Sequence, residues 1–209
     1  MAKVETVGKA RKSPGNCSGC GKPIAVGSPY KYIAFRYGGK KIKCGECNFR
    51  PSELTQSKMS GVYAAQESCE EAITGWDPGD GNVEDLKSAL EQAADEIRSV
   101  ADEYHEAGEA MGGAGEEMTS KGDELESFAD DVASAADDLE DFEFEEEEPE
   151  GPGDEPDEAD TEAHEAWKKL ETEWTLAHAS WTGRWSSARE DWAEDQRQKA
   201  TDAVQECPV

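Results

Sequence analysis

Cys17-Ser18-Gly19-Cys20 and Cys44-Gly45-Glu46-Cys47 form two CxxC pairs with 23 residues between them. Each pair can wrap one side of a metal, and thiolates are the donors that a thiophilic dication favours. The spacing predicts one tetrahedral zinc held by Cys17, Cys20, Cys44 and Cys47. Four thiolates leave no position for water, so the expected Zn2+ is structural rather than catalytic. Of six cysteines only Cys69 and Cys207 are left over. Double CxxC with so few other cysteines fits an intracellular, cytoplasmic metal site better than a disulfide framework.

The elements that must position these ligands follow from the intervening residues. Gly19 and Gly21 flank Cys20, as a tight knuckle requires. Residues 29–37 are rich in aromatic and β-branched types, and Gly38-Gly39 reads as a two-residue hairpin turn with a return strand over Lys40–Lys43. That turn pairs Tyr37 with Lys40 and Phe35 with Ile42. Alternation then places Ile33, Phe35, Ile42 and Cys44 toward the metal, and Tyr32, Ala34, Arg36, Lys41 and Lys43 outward. Cations neutralise phosphates and an aromatic ring stacks on an unpaired base. Arg11, Lys12, Tyr32, Arg36, Lys41 and Lys43 are therefore the candidate nucleic-acid contacts. The same face suits an acidic protein surface. Ser52 is placed to cap a helix that runs to about Ile73, with Glu53 in its first turn.

A knuckle, a hairpin and a second CxxC leading into a helix resembles the treble-clef and zinc-ribbon type of four-cysteine finger, over about residues 15–60. Small finger proteins encoded by phages and bacteria look similar. The pattern is also similar to the finger of poly(ADP-ribose) polymerases, which bind DNA breaks. Those include a histidine among their ligands, whereas the three histidines here lie far downstream. The resemblance implies that Cys17, Cys20, Cys44 and Cys47 are ligands of one zinc.

The net charge of −28 is unevenly placed. Residues 1–60 hold twelve Lys/Arg against three Asp/Glu, a net of +9; residues 61–209 hold nine against 46, a net of −37. A split this sharp marks modules with different partners. It also argues against uniform acidification for high salt. With 35% hydrophobic and 33% charged residues, one large core is not expected; a small stapled domain plus solvated helices is.

Residues 83–142 carry two rows of seven-residue repeats. One runs Leu86, Ala93, Val100, Ala107, Ala114, Lys121, Phe128, Ala135, Phe142; the other runs Leu90, Ile97, Tyr104, Met111, Met118, Leu125, Val132, Leu139. Sixteen of these seventeen slots are apolar or aromatic, the pattern of a coiled coil. Gly108, Gly112, Gly113 and Gly115 interrupt the middle, each at about 1 kcal/mol in a helix interior. The unbroken phase suits one continuous helix, and the glycines suit an antiparallel hairpin at Gly112-Gly113, which is preferred. His105 reads as a surface residue, and Met111 and Met118 as core. Residues 143–160 are acidic and Pro/Gly-rich, a disordered linker by composition. Trp167, Trp174 and Trp181 are spaced by seven, then Trp185 and Trp192 by seven after a shift of four. This stripe is expected to complete a three-helix bundle or to form an interface with another chain.

The expected architecture is mainly α with a small N-terminal α+β zinc finger and an acidic helical coiled coil or three-helix bundle. It divides into a basic flexible arm (1–16), the finger with its following helix (17–74), the heptad region (83–142), the acidic linker (143–160) and a Trp-rich helix (161–206). No phosphate-binding, dinucleotide, metalloprotease or nucleophile-elbow motif is present. The chain is not expected to be an enzyme or to take a small-molecule substrate. No signal peptide or membrane span is read from it. The expected function is a zinc-binding adaptor. Its finger meets nucleic acid or an acidic protein surface, its helices 83–142 and 161–206 meet protein or a second copy, and its acidic helices mediate assembly or autoinhibition. The alternative is a structural scaffold that assembles through its helices, with the finger as a protein-docking module.

Overall fold

The computed structural model describes residues 2–36, 38–156, 161–205 and 207. The chain is mainly α, with a small N-terminal β region. Five short strands come first: β1 (Glu5–Val7), β2 (Gly15–Asn16), β3 (Pro23–Ile24), β4 (Tyr30–Ala34) and β5 (Lys40–Cys44). One antiparallel sheet has the order β1-β4-β5 and a second pairs β2 with β3. The arm before Cys17 thus supplies two strands. Its Ala10 N–H also donates to the Ser28 carbonyl at 3.0 Å.

The β4–β5 register differs from the two-residue hairpin. Tyr32 pairs with Ile42, Ile33 with Lys41 and Ala34 with Lys40, so the loop spans residues 35–39. Within it the Phe35 N–H donates to the Gly39 carbonyl at 3.2 Å, and Gly38 and Gly39 both take positive φ. The expected Tyr37–Lys40 pair falls on Tyr37, which lies outside the described residues. The pairing is offset by an odd number of residues, and an odd offset exchanges faces. Lys31, Ile33, Lys41 and Lys43 share one face; Tyr30, Tyr32, Ile42 and Cys44 share the other.

Beyond Cys47 the helix does not start at Ser52. Pro51–Glu53 make a single 3-10 turn, and α1 runs Met59–Gly75. The Ser52 N–H and hydroxyl instead both donate to Glu67 on α1, at 2.9 and 2.7 Å. This ties the turn to the helix that follows.

Helix α2 (Glu84–Met111) reverses through a 3-10 turn at Gly112–Ala114 into α3 (Glu116–Asp137). Gly112 adopts φ 59°, which stops a right-handed helix. The hairpin alternative is therefore the one the chain takes. Its seam contains most of the two expected rows, although Ala114 is exposed in the turn and Phe142 lies beyond α3. It also contains a third row made of small residues: Ala94, Ala101, Gly108, Gly115, Gly122, Ala129 and Ala136, all buried. The backbones approach so closely that a Cβ on Gly115 would run into the Gly108 carbonyl, and one on Gly122 would lie 2.6 Å from the His105 ring. Met111 is 54% exposed at the hairpin tip, which corrects its reading as core. It is the last residue of α2, next to the turn at Gly112.

α1 lays Val62, Ala65, Cys69 and Ile73 on this hairpin. The last helix, α4 (Thr161–Gln205), adds only its C-terminal part, through Ala193, Gln196, Ala200 and Val204. The body is a four-helix assembly. Trp192 packs on its core at Trp76, 5.6 Å between ring centroids. Trp167, Trp174 and Trp181 do not complete a bundle; they lie on the part of α4 beyond it.

Candidate metal centre

Four ligand atoms converge from two knuckles. Cys17 and Cys20 flank a turn closed by Gly21 N–H to Cys17 carbonyl (2.9 Å) and Cys17 N–H to Lys22 carbonyl (2.8 Å); Gly21 supplies the positive φ of 73°. Ser18 N–H donates to the Ile42 carbonyl at 2.8 Å, fastening the first knuckle to β5. Cys44 ends β5, and Cys47 follows three residues on. All four Sγ atoms lie within 4.8 Å of one another. Close approach is also built in: a Cβ at Gly19 would meet Cys47 Cβ at 3.3 Å.

The donor set fits one tetrahedral, thiolate-bound metal. Two sulfurs on a tetrahedral zinc, each at about 2.3 Å, stand about 3.8 Å apart; Cys20 Sγ and Cys44 Sγ are 3.9 Å apart. The backbone supports anionic sulfur as well. Gly19 and Cys44 N–H groups point at Cys17 Sγ at 3.4 and 3.2 Å. Burial works to raise the Cys17 thiol, but N–H groups of Cys20, Cys44 and Gly19 outweigh it and bring the thiol down to about 6. Cys47 moves the other way. Its neighbours Cys44 and Cys17 hold its proton and push it up to about 12. The surroundings thus favour an anionic sulfur at Cys17 and keep the proton on Cys47. The other two cysteines stand apart. Cys69 is core, its thiol pushed up to about 11 by burial, and Cys207 packs against that core.

The six candidate polyanion contacts do not form one face. Arg11, Lys12, Arg36 and Lys41 are exposed. Tyr32 is half-buried, donates its hydroxyl to Glu5 on β1 and has Lys40 Nζ 3.8 Å above its ring. Lys43 is 5% exposed. Its ammonium donates to the Asn48 carbonyl (2.9 Å) and pairs with Glu53. The register explains this: Lys43 shares the inward face with Ile33, which is fully buried. Lys22 and Lys40, also exposed, were not singled out by the hairpin alternation.

A second group of ligand-type side chains lies in the α2–α3 seam. His105 Nε2 stands 3.6 Å from Asp123 and 3.9 Å from Glu126. His105 is thus turned into the seam over Gly122 rather than left on the surface. No helix among the described residues is long and apolar enough to cross a membrane. Compared with protein-family models, with curated proteins and with solved structures, the chain matches none of them.

Proposed function

We propose that this protein is a zinc-organised, non-enzymatic adaptor whose basic N-terminal module docks on a polyanion, nucleic acid foremost, while its acidic helical body serves protein contacts. The observation that carries the metal part is the convergence of Cys17, Cys20, Cys44 and Cys47 within 4.8 Å. So small a β region has little core of its own, so metal affinity becomes folding free energy. What supports the polyanion part is charge: residues 1–60 carry +9 on a chain of net −28. Arg11, Lys12, Lys22, Lys40 and Lys41 are exposed on that module. Lys43, being buried, is not among the proposed contacts, and Tyr32 stays with the sheet.

The test is metal content followed by binding. Purified full-length protein should hold one equivalent of zinc, and Cys44→Ser should lose it. Labelled single- and double-stranded DNA and RNA should bind the full chain with affinity that falls steeply with salt. Replacing Arg11, Lys12 and Lys41 together by Ala should flatten that salt slope by about 3, because each released contact removes about one counterion. Folded, metal-free protein would refute the first part, and salt-insensitive or absent binding the second.

The long α4 favours a second reading, a scaffold that assembles through its helices with the finger as a protein-docking module. Leu170 and Leu176 are 53% and 70% exposed on it. A solution mass that stays monomeric across a hundredfold concentration range would reject self-assembly.

A further inference from the structure

The segment between α3 and α4 is strongly acidic, yet 140–153 is laid out in extended form along α4, antiparallel to it. Four indoles hold it by the backbone. Trp192 Nε1 donates to the Glu140 carbonyl at 2.8 Å, Trp181 to Glu146 at 3.1 Å, Trp174 to Pro149 at 3.0 Å and Trp167 to Gly153 at 3.2 Å. The last three indoles are seven residues apart, so they advance about 10.5 Å per step along the helix. The carbonyls they hold advance by three and then four residues, a mean of about 10.9 Å at the rise of an extended polyproline-like strand. The two periods agree. One helix face can therefore grip an extended strand repeatedly without falling out of register.

Carbonyls carry no sequence information, so selectivity comes from the contacts of four side chains of the strand. Phe142 packs on Trp185 and Trp192, and Phe144 meets Trp181 edge-on at 5.8 Å. The Arg184 guanidinium makes a two-pronged pair with Glu146, at 2.7 to 3.1 Å. His178 Nε2 lies 3.0 Å from Glu148. The occupant thus defines the ligand chemistry: an extended acidic strand led by Phe-x-Phe. The four fully buried residues of α4 all lie at or beyond Ala193. The ladder's indoles upstream are only half-buried even with the strand in place. A tethered strand also enjoys an effective concentration on the order of millimolar, so it can stay seated through modest intrinsic affinity.

We propose that the tryptophan row of α4 is a binding site for an extended acidic peptide bearing Phe-x-Phe, and that residues 140–153 are its tethered occupant, displaced by a partner protein's segment of the same chemistry. This goes beyond the adaptor reading and depends on neither the metal nor the basic module. The test uses full-length protein and, as probe, a fluorescein-labelled synthetic peptide with the sequence of residues 139–154. Phe144→Ser with Glu146→Lys loosens the cis strand. The loosened chain should bind the probe at least tenfold more tightly than the unaltered chain. Adding Trp174→Ala and Trp181→Ala should abolish that binding while far-UV circular dichroism confirms that the helices persist. A charge exchange checks the register: in a chain loosened instead by Phe144→Ser with Arg184→Glu, where Glu146 of the cis strand meets a like charge, a probe carrying Glu146→Lys should outbind the parent probe about fivefold. The proposal is overturned if the loosened chain shows no binding up to 1 millimolar, on the order of the effective concentration above, if binding survives loss of the indoles, or if the charge exchange gives no reversal.

Discussion

Lys43 carries its charge into the interior of the N-terminal module, and Glu53 is what makes that tolerable. The pair is 7% and 21% exposed. Glu53 also accepts from the Arg50 N–H at 2.9 Å. Burial works to raise the Glu53 carboxyl, but the Arg50 N–H and the Lys43 ammonium outweigh it and hold it below its usual value. Glu53→Gln should destabilise the module by about 3 kcal/mol, because it leaves a buried ammonium without its counter-charge. The pH dependence follows from the lowered carboxyl. Its contribution is complete above the ordinary value of about 4.3 and is lost as pH falls through the folded one. Thermal melts of the two forms should therefore differ at pH 7 and converge in acid. At this scale the cysteines were legible, since identity and spacing alone specify a thiolate site. Lys43 was not, because its facing depends on whether the β4–β5 loop has two residues or five.

The α2–α3 hairpin depends on residues that contribute almost nothing to hydrophobic patterning. A Cβ on Gly115 would meet the Gly108 carbonyl, and one on Gly108 would lie 3.1 Å from the Gly115 carbonyl. Gly115 is the N-cap of α3, where Gly is already favoured over Ala, so Gly→Ala gains nothing from helix propensity there. Here it forces backbone against backbone, and overpacking typically loses 1–3 kcal/mol, about 3 at so rigid a contact. Gly115→Ala should accordingly lower the chemical-denaturation midpoint. Gly113→Ala, with nothing within 4 Å of its Cβ and no positive φ, should leave it unchanged or raise it by up to about 1 kcal/mol. The two large-residue rows of this hairpin could be read from sequence because Leu, Ile and Val announce a buried stripe. The row at 94, 101, 108, 115, 122, 129 and 136 could not, because Ala and Gly are neutral to such a pattern. The glycines looked like breakers; only Gly112 acts as one.

At the scale of the molecule there are two cores. Among the described residues the helical core runs from Val62 to Val204 and includes none of the β region; Cys17, Ile24 and Ile33 are buried separately. Chelating the metal should therefore leave the helical circular dichroism almost intact while amides of β4 and β5 lose exchange protection. Loss of both together would show that the cores are coupled. The net −37 of residues 61–209 is carried mostly on exposed helix faces and on the strand along α4. Raising salt should accordingly stabilise the helical body by screening its self-repulsion, seen as a higher melting temperature in 1 M than in 0.05 M sodium chloride.

Sequence alone determined the four clustered cysteines, the charge division near residue 60, the mainly helical body and most of the buried rows of its hairpin. All of these are written in residue type and local period. Tertiary structure decided three things: which face of β5 holds Lys43, how closely α2 and α3 approach, and what the tryptophans of α4 hold. The physical reason is the same in each case. Strand offset, backbone approach and indole-to-carbonyl bonding join residues that are distant along the chain. The acidic composition of 143–156 describes a solvated segment when taken alone; it is the seven-residue step of the indoles on a separate element that gives its backbone somewhere to lie.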